Sequence, residues 1–422
     1  METYTNNIND INYMPELTPH QFLWKAGMLK FGMKAMITVD FISSALSKIG
    51  AGLNSQTLRY DLRHCRSVSR LLIKIMYVLG IETSCDETAV SIVKDGRRIL
   101  SNVVSSSLKE HKKYGGIVPE IASRMQVESI TRVTHCAIKE AKIRLENINL
   151  VSVTCGPGLA GSLLVGISFA KSISLGLGVP LLGVNHLASH IYANFLNGRH
   201  LTLPLVGLLI SGGHTSLFYV KDFDKIEILG ATCDDACGEA FDKVAKILGL
   251  GYPGGPLIER LAKSGTPKIQ FSCSHTPELL DFSFSGIKTA VLYYVKKQST
   301  VHSPQSTERI NYRLSTIDYR LVCDIAASFQ EAVVNTLIKK SFLACRMKRV
   351  KRLAIGGGVA ANKRLRERFY SEAEKKGLDI HFPHPKLCMD NAAMVAGLGY
   401  QLFRKGYKSG LDLNIDFPAL DL

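Results

Sequence analysis

Two short segments of the chain share one pattern, a strand followed by a tight polar loop and a second strand. The first is VLGIETSCDETAVSIV at 78–93, and the second is VGLLISGGHTSLFYV at 206–220. In each segment an apolar run ends at small, hydroxyl-bearing or acidic residues, and a β-branched run follows. Such loops present N–H groups and hydroxyls that suit a phosphate. The repeat predicts two related lobes facing one anionic ligand, with two ordinary hairpins as the alternative.

Composition sets broad limits on the fold and its partners. The chain has 422 residues, of which 46% are hydrophobic, which is enough for two or three cores. A net charge of +16 favours an anionic macromolecule as partner. The ten cysteines form no C-x-x-C pair, so the sequence indicates free thiols in a reducing compartment. Since no run of 18 apolar residues occurs, we expect no association with a membrane.

The chain divides into four parts by composition and motif content. Residues 1–76 form an N-terminal extension that carries no motif, 77–202 a first lobe, 203–410 a second lobe, and 411–422 a C-terminal tail. The extension lacks the positive start and compact apolar core of a secretory signal. A polar insertion near 293–320 interleaves Lys and Arg with Tyr. That mixture suits RNA, although a solvated surface insertion explains it equally well.

Two glycine-rich loops each follow a predicted strand and open a predicted helix. They are GPGLAGS at 156–162 and IGGGVAANKR at 355–364. Helix N-termini after such loops bind phosphate well. Neither loop matches G-x-x-x-x-G-K-[ST] or G-x-G-x-x-G, so the chain is neither a P-loop protein nor a Rossmann dehydrogenase. The order of strand, loop and helix predicts α/β lobes.

The segment NHLASH at 185–190 predicts a metal site. His186 and His190 are four residues apart, so on a helix they share a face and can hold one ion. Leu187 occupies the position where a zinc protease has its base. Asp390 is a candidate third ligand from the other lobe, and a helix N-cap is its alternative role. Two imidazoles and a carboxylate suit iron(II), manganese or zinc and leave positions open for substrate.

Nine segments, in this order, carry a resemblance to one enzyme family: GIETSCDET (80–88), YGGIVPEIASR (114–124), GPGLAGSLLVG (156–166), NHLASH (185–190), LLISGGHT (208–215), DDACGEAFDKVAKILGLGYPGGP (234–256), DFSFSGIKT (281–289), GGGVAAN (356–362) and MDNAAM (389–394). Through them the chain from about 77 to 400 resembles the tRNA adenosine threonylcarbamoyltransferases, once labelled O-sialoglycoprotein endopeptidases. The form is similar to bacterial or organellar members.

The resemblance implies a fold and a reaction. The fold is α/β, the two-lobed actin-like, sugar-kinase and Hsp70 (ASKHA) fold with duplicated mixed-sheet lobes, in agreement with the repeated hairpins. In the reaction, threonylcarbamoyl-AMP donates its threonylcarbamoyl group to N6 of the adenosine 3′ of the anticodon in tRNAs reading ANN codons. The products are N6-threonylcarbamoyladenosine and AMP.

The resemblance also implies roles for single residues. His186, His190 and Asp390 match metal ligands, and Asp86 and Glu87 match an acidic pair in the first hairpin. The other matches bind substrate or nucleotide: Leu209, Ile210, Ser211, Gly212, Gly213, Asp242, Gly255 and Asn362. Some relatives have a metal-binding tyrosine where this chain has Leu209.

The chemistry of the reaction assigns tasks to these groups. An adenine amine is a poor nucleophile, and its attack on a carbamoyl carbonyl builds negative charge on oxygen. A divalent cation would stabilise that charge and the AMP leaving group. A carboxylate would take the amine proton. Asp86 is our candidate for that base and Glu87 for organising the loop, whereas both acids could instead only satisfy local N–H groups of a turn.

The sequence leaves cofactor, partners and competing functions open. We expect one divalent ion per subunit, with Fe²⁺ favoured over Zn²⁺ or Mn²⁺. Bacterial-type members resemble subunits that work with a smaller paralogous ASKHA subunit and a P-loop ATPase, and mitochondrial ones resemble homodimers. The location is then the cytoplasm or the mitochondrial matrix. The alternatives are a non-catalytic scaffold subunit, a kinase or chaperone of the same fold, and a metalloprotease.

Overall fold

The computed structural model describes residues 75–198, 201–300 and 318–416, and within them the chain forms two five-stranded mixed sheets. The first sheet has the order β3-β2-β1-β4-β5 and the second the order β10-β9-β6-β7-β8. The strands are β1 Tyr77–Glu82, β2 Glu87–Lys94, β3 Arg98–Ser106, β4 Ile148–Gly156, β5 Leu181–Asn185, β6 Leu205–Ile210, β7 Thr215–Asp222, β8 Lys225–Ala231, β9 Arg352–Gly356 and β10 Asp379–His381.

The two sheets repeat one topology. Each begins with an antiparallel meander of three strands, and each then adds two strands parallel to the first strand of the meander. The first two strands of each meander are the two hairpins that the sequence predicted. This repetition confirms the duplicated mixed-sheet lobes of the expected fold.

Ten α-helices lie within the described residues and cover the sheets. They are α1 Leu108–His111, α2 Pro119–Ala141, α3 Ala160–Leu177, α4 His186–Tyr192, α5 Cys237–Ile247, α6 Gly254–Ala262, α7 Ser285–Thr300, α8 Tyr319–Lys348, α9 Lys363–Lys376 and α10 Ala392–Arg404. Helices α3 and α8 are long and apolar enough to cross a membrane by length and composition alone. Both helices pack against other parts of the protein, as core helices do. Helix α3 contacts β4 and α2, whereas α8 contacts mainly α6.

The last helix departs from the predicted division into lobes. Helix α10 lies in the part of the chain predicted as the second lobe, but it packs on β1, β2 and β4 of the first sheet. Its buried face, which includes Met394 and Val395, joins a core with Val78 and Leu150 of that sheet. Helical periodicity predicts which face of a helix is buried, but it does not predict which sheet that face covers.

Helix α4 joins the two lobes. It contacts β4 and β5 of the first sheet and β6 and β9 of the second. Its apolar side chains Leu187 and Ile191 share a hydrophobic core with Leu209 and Ala354 of the second sheet. Each lobe has a further core of its own on the outer side of its sheet. The helix predicted to carry metal ligands therefore lies at the junction of the lobes.

The C-terminal tail lies along the edge of the first sheet. Ser409 forms an antiparallel bridge with Leu181 of the edge strand β5, and Asp416 donates its N–H to the carbonyl of Cys155 at 2.8 Å. A Cβ atom at Gly156 would lie 1.7 Å from the carbonyl oxygen of Asp416, so only glycine fits beneath the tail. The predicted tail therefore packs on the first lobe as far as 416.

Two predicted regions fall partly or wholly outside the described residues. The extension 1–76 is described only from residue 75. Of the polar insertion near 293–320, the first residues belong to α7 and the last to α8, and 301–317 lie outside the described residues. The interpretation of this insertion as an RNA contact stays a prediction.

Candidate metal centre and nucleotide cleft

The two histidines of NHLASH lie one turn apart on α4, as their spacing predicted. Asn185 caps this helix, because its side chain accepts the N–H groups of the second and third helical residues. The rings of His186 and His190 are buried, with centroids 4.7 Å apart and planes nearly perpendicular. Both Nε2 atoms point toward one carboxylate, that of Asp390.

Asp390 brings the third donor atom to the histidines. Its Oδ1 lies 3.1 Å from Nε2 of His190 and 3.7 Å from Nε2 of His186. Asp390 lies between β10 of the second sheet and α10, which packs on the first sheet and on α4. It does not cap α10, because Asn391 accepts the N–H of Met394.

The three side chains fit a divalent cation. Their donor atoms all lie within 4.8 Å of one another. Burial lowers the pKa of His186, but the carboxylates of Glu82 and Asp390 outweigh it and raise that pKa to about 9. Burial raises the pKa of Asp390, and the two imidazoles nevertheless hold it at about 2. The space between the groups therefore attracts positive charge, and two imidazoles with one carboxylate are ligands that Fe²⁺, Mn²⁺ and Zn²⁺ share.

A buried carboxylate that the sequence analysis missed orients the first histidine. Oε2 of Glu82 lies 3.0 Å from Nδ1 of His186, and Thr154 donates its hydroxyl to the same oxygen at 2.6 Å. The Glu82 side chain is completely buried. Its signal in the sequence is an acid at the end of an otherwise apolar strand. By contrast, Nδ1 of His190 is buried with no hydrogen-bond partner among the described residues.

The predicted acidic pair follows Glu82 in the loop between β1 and β2. Asp86 directly precedes Glu87, which is the first residue of β2. Burial raises the pKa of Glu87 well above its ordinary value, and the charges of Asp390 and Asp86 add to the effect. Burial likewise raises the pKa of the Cys85 thiol, and the charges of Asp390 and Asp86 contribute. Burial therefore favours the neutral form of Glu87.

The second hairpin presents its polar loop toward the metal ligands. Gly212 and Gly213 are exposed, and a Cβ atom at either position would meet nothing within 4 Å. Helix α5 docks on this loop, because Gly238 donates its N–H to the carbonyl of Ser211 at 3.0 Å. Burial lowers the pKa of His214, the next residue, to about 4, and the nearby imidazoles of α4 contribute. The loop therefore faces α4 with a neutral imidazole.

Leu209 and Ile210 are also predicted to bind substrate, but unlike Gly212 and Gly213 they are not exposed. Both side chains are completely buried, and they belong to two separate hydrophobic cores. Their main-chain atoms are buried as well, so neither residue offers accessible surface. In this part of the predicted loop, the accessible surface comes from Ser211 and the two glycines.

The predicted nucleotide contacts gather around the N-terminus of α6. Oδ1 of Asp242 accepts the N–H of Gly254 at 2.6 Å, and Gly255 is open to space on its Cβ side. Asn362 caps α9, accepting the N–H of Leu365 at 2.9 Å. It also donates Nδ2–H to Gln330 at 2.8 Å. One amide hydrogen of Asn362 therefore remains for a ligand.

A cleft of about 290 Å³ lies beside these residues. It is lined by residues of α6, α8 and α9, among them Glu259, Gln330 and Lys363. Gln330 bonds to Asn362, and Glu259 accepts the N–H of Lys363 at 3.0 Å. The cleft thus adjoins Asn362 on the second lobe, and its lining includes neither Asp242 nor Gly255.

Tyr252 connects the nucleotide contacts with the acidic loop of the first lobe. Burial raises the pKa of its phenol to about 12, and the charges of Asp242 and Asp86 contribute. Asp242 belongs to the second lobe and Asp86 to the first, so charges of both lobes act on the phenol. The sequence analysis missed Tyr252, whose only signal is its place in the YPGG segment before α6.

Comparison with known proteins assigns a family to this arrangement. Residues 98–397 match the family model TsaD, described as tRNA N6-adenosine threonylcarbamoyltransferase. A protein of that name from Dictyoglomus turgidum is 50% identical over 341 residues, which are 80% of this chain and 97% of that protein. Another from Thermosipho africanus is 51% identical over 336 residues, or 79% of this chain and 96% of that protein.

Solved structures support the fold. HypF from T. kodakarensis is similar with a TM-score of 0.53 and 15% identity, over 79% of this chain and 48% of that chain. Full-length HypF in the phosphate- and nucleotide-bound form gives a TM-score of 0.51 at 14% identity, over 78% of this chain and 46% of that chain. This chain thus spans about half the length of these two proteins. At such identities the likeness shows the fold alone, and it agrees with the expected ASKHA lobes.

Proposed function

The chain belongs to the tRNA N6-adenosine threonylcarbamoyltransferase family, and we propose that it transfers the threonylcarbamoyl group from threonylcarbamoyl-AMP to N6 of the adenosine 3′ of the anticodon in tRNAs reading ANN codons. It is therefore a transferase that modifies tRNA. The observation that carries the proposal is the convergence of His186, His190 and Asp390, whose donor atoms all lie within 4.8 Å of one another.

One divalent ion would be held by Nε2 of both histidines and the carboxylate of Asp390, and we propose Fe²⁺. When bound, such an ion stabilises negative charge on the carbamoyl oxygen and on the departing phosphate. Glu82 fixes the ring of His186 so that Nε2 faces the carboxylate of Asp390. The orientation of this metal ligand is thereby fixed before the substrate binds.

The second lobe would bind the adenylate donor. The exposed glycines of the Ser211–Gly213 loop offer N–H groups to the phosphate. Asp242 and the open Gly255 at the start of α6 would contact the ribose, since a carboxylate accepts hydrogen bonds from ribose hydroxyls. The remaining amide hydrogen of Asn362 would reach the adenylate from the neighbouring helix. The bound donor would then lie between this surface and the acidic loop.

The acidic pair would handle the proton of the transfer. As N6 of adenosine attacks the carbamoyl carbon, the nitrogen loses a proton, and Asp86 would take it as general base. Glu87, whose neutral form is favoured by burial, would organise the loop that carries Asp86. The bond from the carbonyl carbon to the phosphate oxygen breaks, and AMP leaves.

The partners and location follow from the family and the charge of the chain. A net charge of +16 suits tRNA as the acceptor. We propose a smaller paralogous ASKHA subunit and a P-loop ATPase as partners in the cytoplasm, because the relatives described above are bacterial proteins. A homodimer in the mitochondrial matrix is the alternative.

A transfer assay tests the proposal. The full-length chain, with its metal and with or without the partner proteins, is incubated with tRNA and threonylcarbamoyl-AMP labelled in the threonyl group. We expect label in tRNA, and none in a tRNA whose adenosine 3′ of the anticodon is replaced by guanosine. Asp86→Asn should lower the rate roughly 100-fold or more. Undiminished transfer by that variant would contradict the assigned base, and label in the guanosine tRNA would contradict the acceptor.

A further inference from the structure

The loop that carries the acidic pair is held from outside at every backbone carbonyl of residues 83–87. Ser84 accepts the N–H of Leu159 at 2.7 Å. Asp86 accepts both the N–H and the hydroxyl of Ser107, at 3.0 and 2.8 Å. The other three carbonyls share a single donor group, the side-chain amide of Gln126 on α2. The conformation of this loop therefore depends strongly on the side chain of Gln126.

The amide of Gln126 contacts alternate residues of the loop. Its Nε2 lies 2.9 Å from the carbonyl oxygen of Cys85, 3.1 Å from that of Glu87 and 3.4 Å from that of Thr83. The chain bends at residues 84–86, between β1 and β2, and the carbonyls of residues 83, 85 and 87 all lie within reach of this one amide group. Because all three neighbours are acceptors, the nitrogen and not the oxygen must face them.

The burial of Gln126 indicates that the hydrogen bonds of its Nε2 atom, and not those of its Oε1 atom, determine where the side chain lies. The residue is 1% exposed, and its Oε1 is buried with no hydrogen-bond partner in the described parts of the chain. Burying an unpaired amide oxygen is unfavourable. An apolar side chain of similar length would fill the same space without that cost, but it could not donate to the loop.

We propose that Gln126 is a positioning residue for threonylcarbamoyl transfer, acting through the loop that carries Asp86 and Glu87. It holds the carbonyls of residues 83, 85 and 87 toward α2, and the two carboxyl groups are thereby kept at a fixed position. The inference rests on the proposed function, in which Asp86 takes the proton from adenosine. Gln126 itself does not touch the substrate.

Two variants of Gln126 test the proposal in the full-length, metal-loaded chain with the partner proteins its activity requires. Gln126→Met keeps the length and burial but removes both N–H donors. Gln126→Glu keeps the shape and replaces the donors by acceptors. We expect Gln126→Met to lower kcat roughly 100-fold, the cost of a misplaced catalytic group. KM for threonylcarbamoyl-AMP and the metal content should stay unchanged.

The matched control is Ser129→Ala, one turn further along the same buried face of α2. Ser129 donates its hydroxyl to Thr88 Oγ1 at 3.0 Å, beyond the loop. This variant should retain the kcat of the unchanged chain. The proposal would be overturned if Gln126→Met lowered kcat and also lowered the thermal midpoint, raised KM and reduced the metal content. These changes together would mark a merely structural residue. Unchanged kcat would overturn it as well.

A double-mutant cycle separates this proposal from the proposed function. If Gln126 acts through Asp86, the loss caused by Gln126→Met shrinks in an Asp86→Asn background, measured in single turnovers. Fully additive losses would overturn the role of Gln126 and leave that of Asp86 standing. If Asp86→Asn alone is fully active, the base assignment fails, and the proposal for Gln126 fails with it.

Discussion

The carboxylate of Glu82 and the ring of His186 form a hydrogen bond of 3.0 Å inside the protein, between residues 104 positions apart. Oε1 of the same carboxylate accepts the N–H of Ser84 at 2.6 Å. Glu82 therefore joins the central strand of the first sheet, the acidic loop and the helix of the metal ligands. Carboxylates that bond to the far nitrogen of a ligating histidine fix its tautomer and orientation.

Glu82→Gln should weaken metal binding roughly 10- to 100-fold, as is typical when such a partner is altered. Titration of the demetallated chain with Fe²⁺ or Co²⁺ measures the affinity. Thr154→Val is the matched control, because it removes one hydrogen bond to Glu82 and leaves the contact with His186 in place. Equal affinities of the Gln variant and the unchanged chain would contradict the role of Glu82.

His186→Ala and His190→Ala should each abolish transfer and leave the protein folded. Each removes one of three donor groups for the ion, whereas the core around α4 is formed mainly by apolar side chains. Metal analysis, circular dichroism and the transfer assay measure the three quantities. His135→Ala, at an exposed position on α2, is the control. Normal metal content and normal transfer in the α4 variants would refute the metal site.

Asp242→Asn and Asp242→Ala should both raise KM for threonylcarbamoyl-AMP, because each removes the carboxylate proposed to contact the ribose. They should differ in stability. Asparagine keeps an oxygen for the N–H of Gly254, whereas alanine leaves that hydrogen bond unmade and loses about 1 kcal/mol of unfolding free energy. Initial rates and urea unfolding measure both effects. An unchanged KM in both variants would exclude Asp242 from the donor site.

Asp235 should make the stability of the second lobe depend on acid pH. Burial raises the pKa of this carboxyl, but hydrogen bonds from Lys243 and Lys288 outweigh it and hold the pKa below its ordinary value of 3.8. A lowered pKa in the folded state stabilises the protein above pH 3.8, and this stabilisation is lost as pH falls through the folded value.

Urea unfolding of Asp235→Asn at several pH values checks this dependence. The variant should be less stable than the unchanged chain by a constant amount at neutral and weakly acidic pH. The difference should shrink only below about pH 4, where the carboxylate becomes protonated. Glu374→Gln, at an exposed position of α9, should show no such difference. A difference that disappears already between pH 7 and 5 would contradict the prediction.

Deleting residues 1–75 should leave transfer intact. The candidate site residues all follow Met76, and the relatives that cover 96–97% of their own length match only 79–80% of this chain. A chain that begins at Met76 also keeps the hydrogen bond between its first nitrogen and Asp95, now between charged groups. Rates and thermal midpoints of the two chains provide the measurement. Loss of folding in the shorter chain would show that the extension belongs to the domain.

Local patterns predicted the parts of the fold that depend on local structure. The hairpins at 78–93 and 206–220 follow from strand periodicity, and the facing histidines follow from their helical spacing. The residues that the sequence analysis missed depend on distant contacts. Glu82 resembles an ordinary acid at a turn until His186 is placed beside it. Tyr252 similarly becomes a candidate site residue only when the structure shows that charges of both lobes act on its phenol. The sequence analysis named Asp390 as a candidate third ligand, but it did not predict the sheet on which the following helix packs.

The position of α10 has a consequence for how the protein is made. All five strands of the first sheet are present once β5 has been translated at Leu181–Asn185, but the helix that covers one face of that sheet ends only at Arg404. At roughly 5 to 20 residues per second, a ribosome needs about 10 to 40 s to reach it. During that interval the nascent sheet exposes an apolar surface, and the edge strand β5 lacks its tail. Emerging chains should therefore depend on chaperones, and a message cut short before α10 yields a protein without either a finished core or its third ligand.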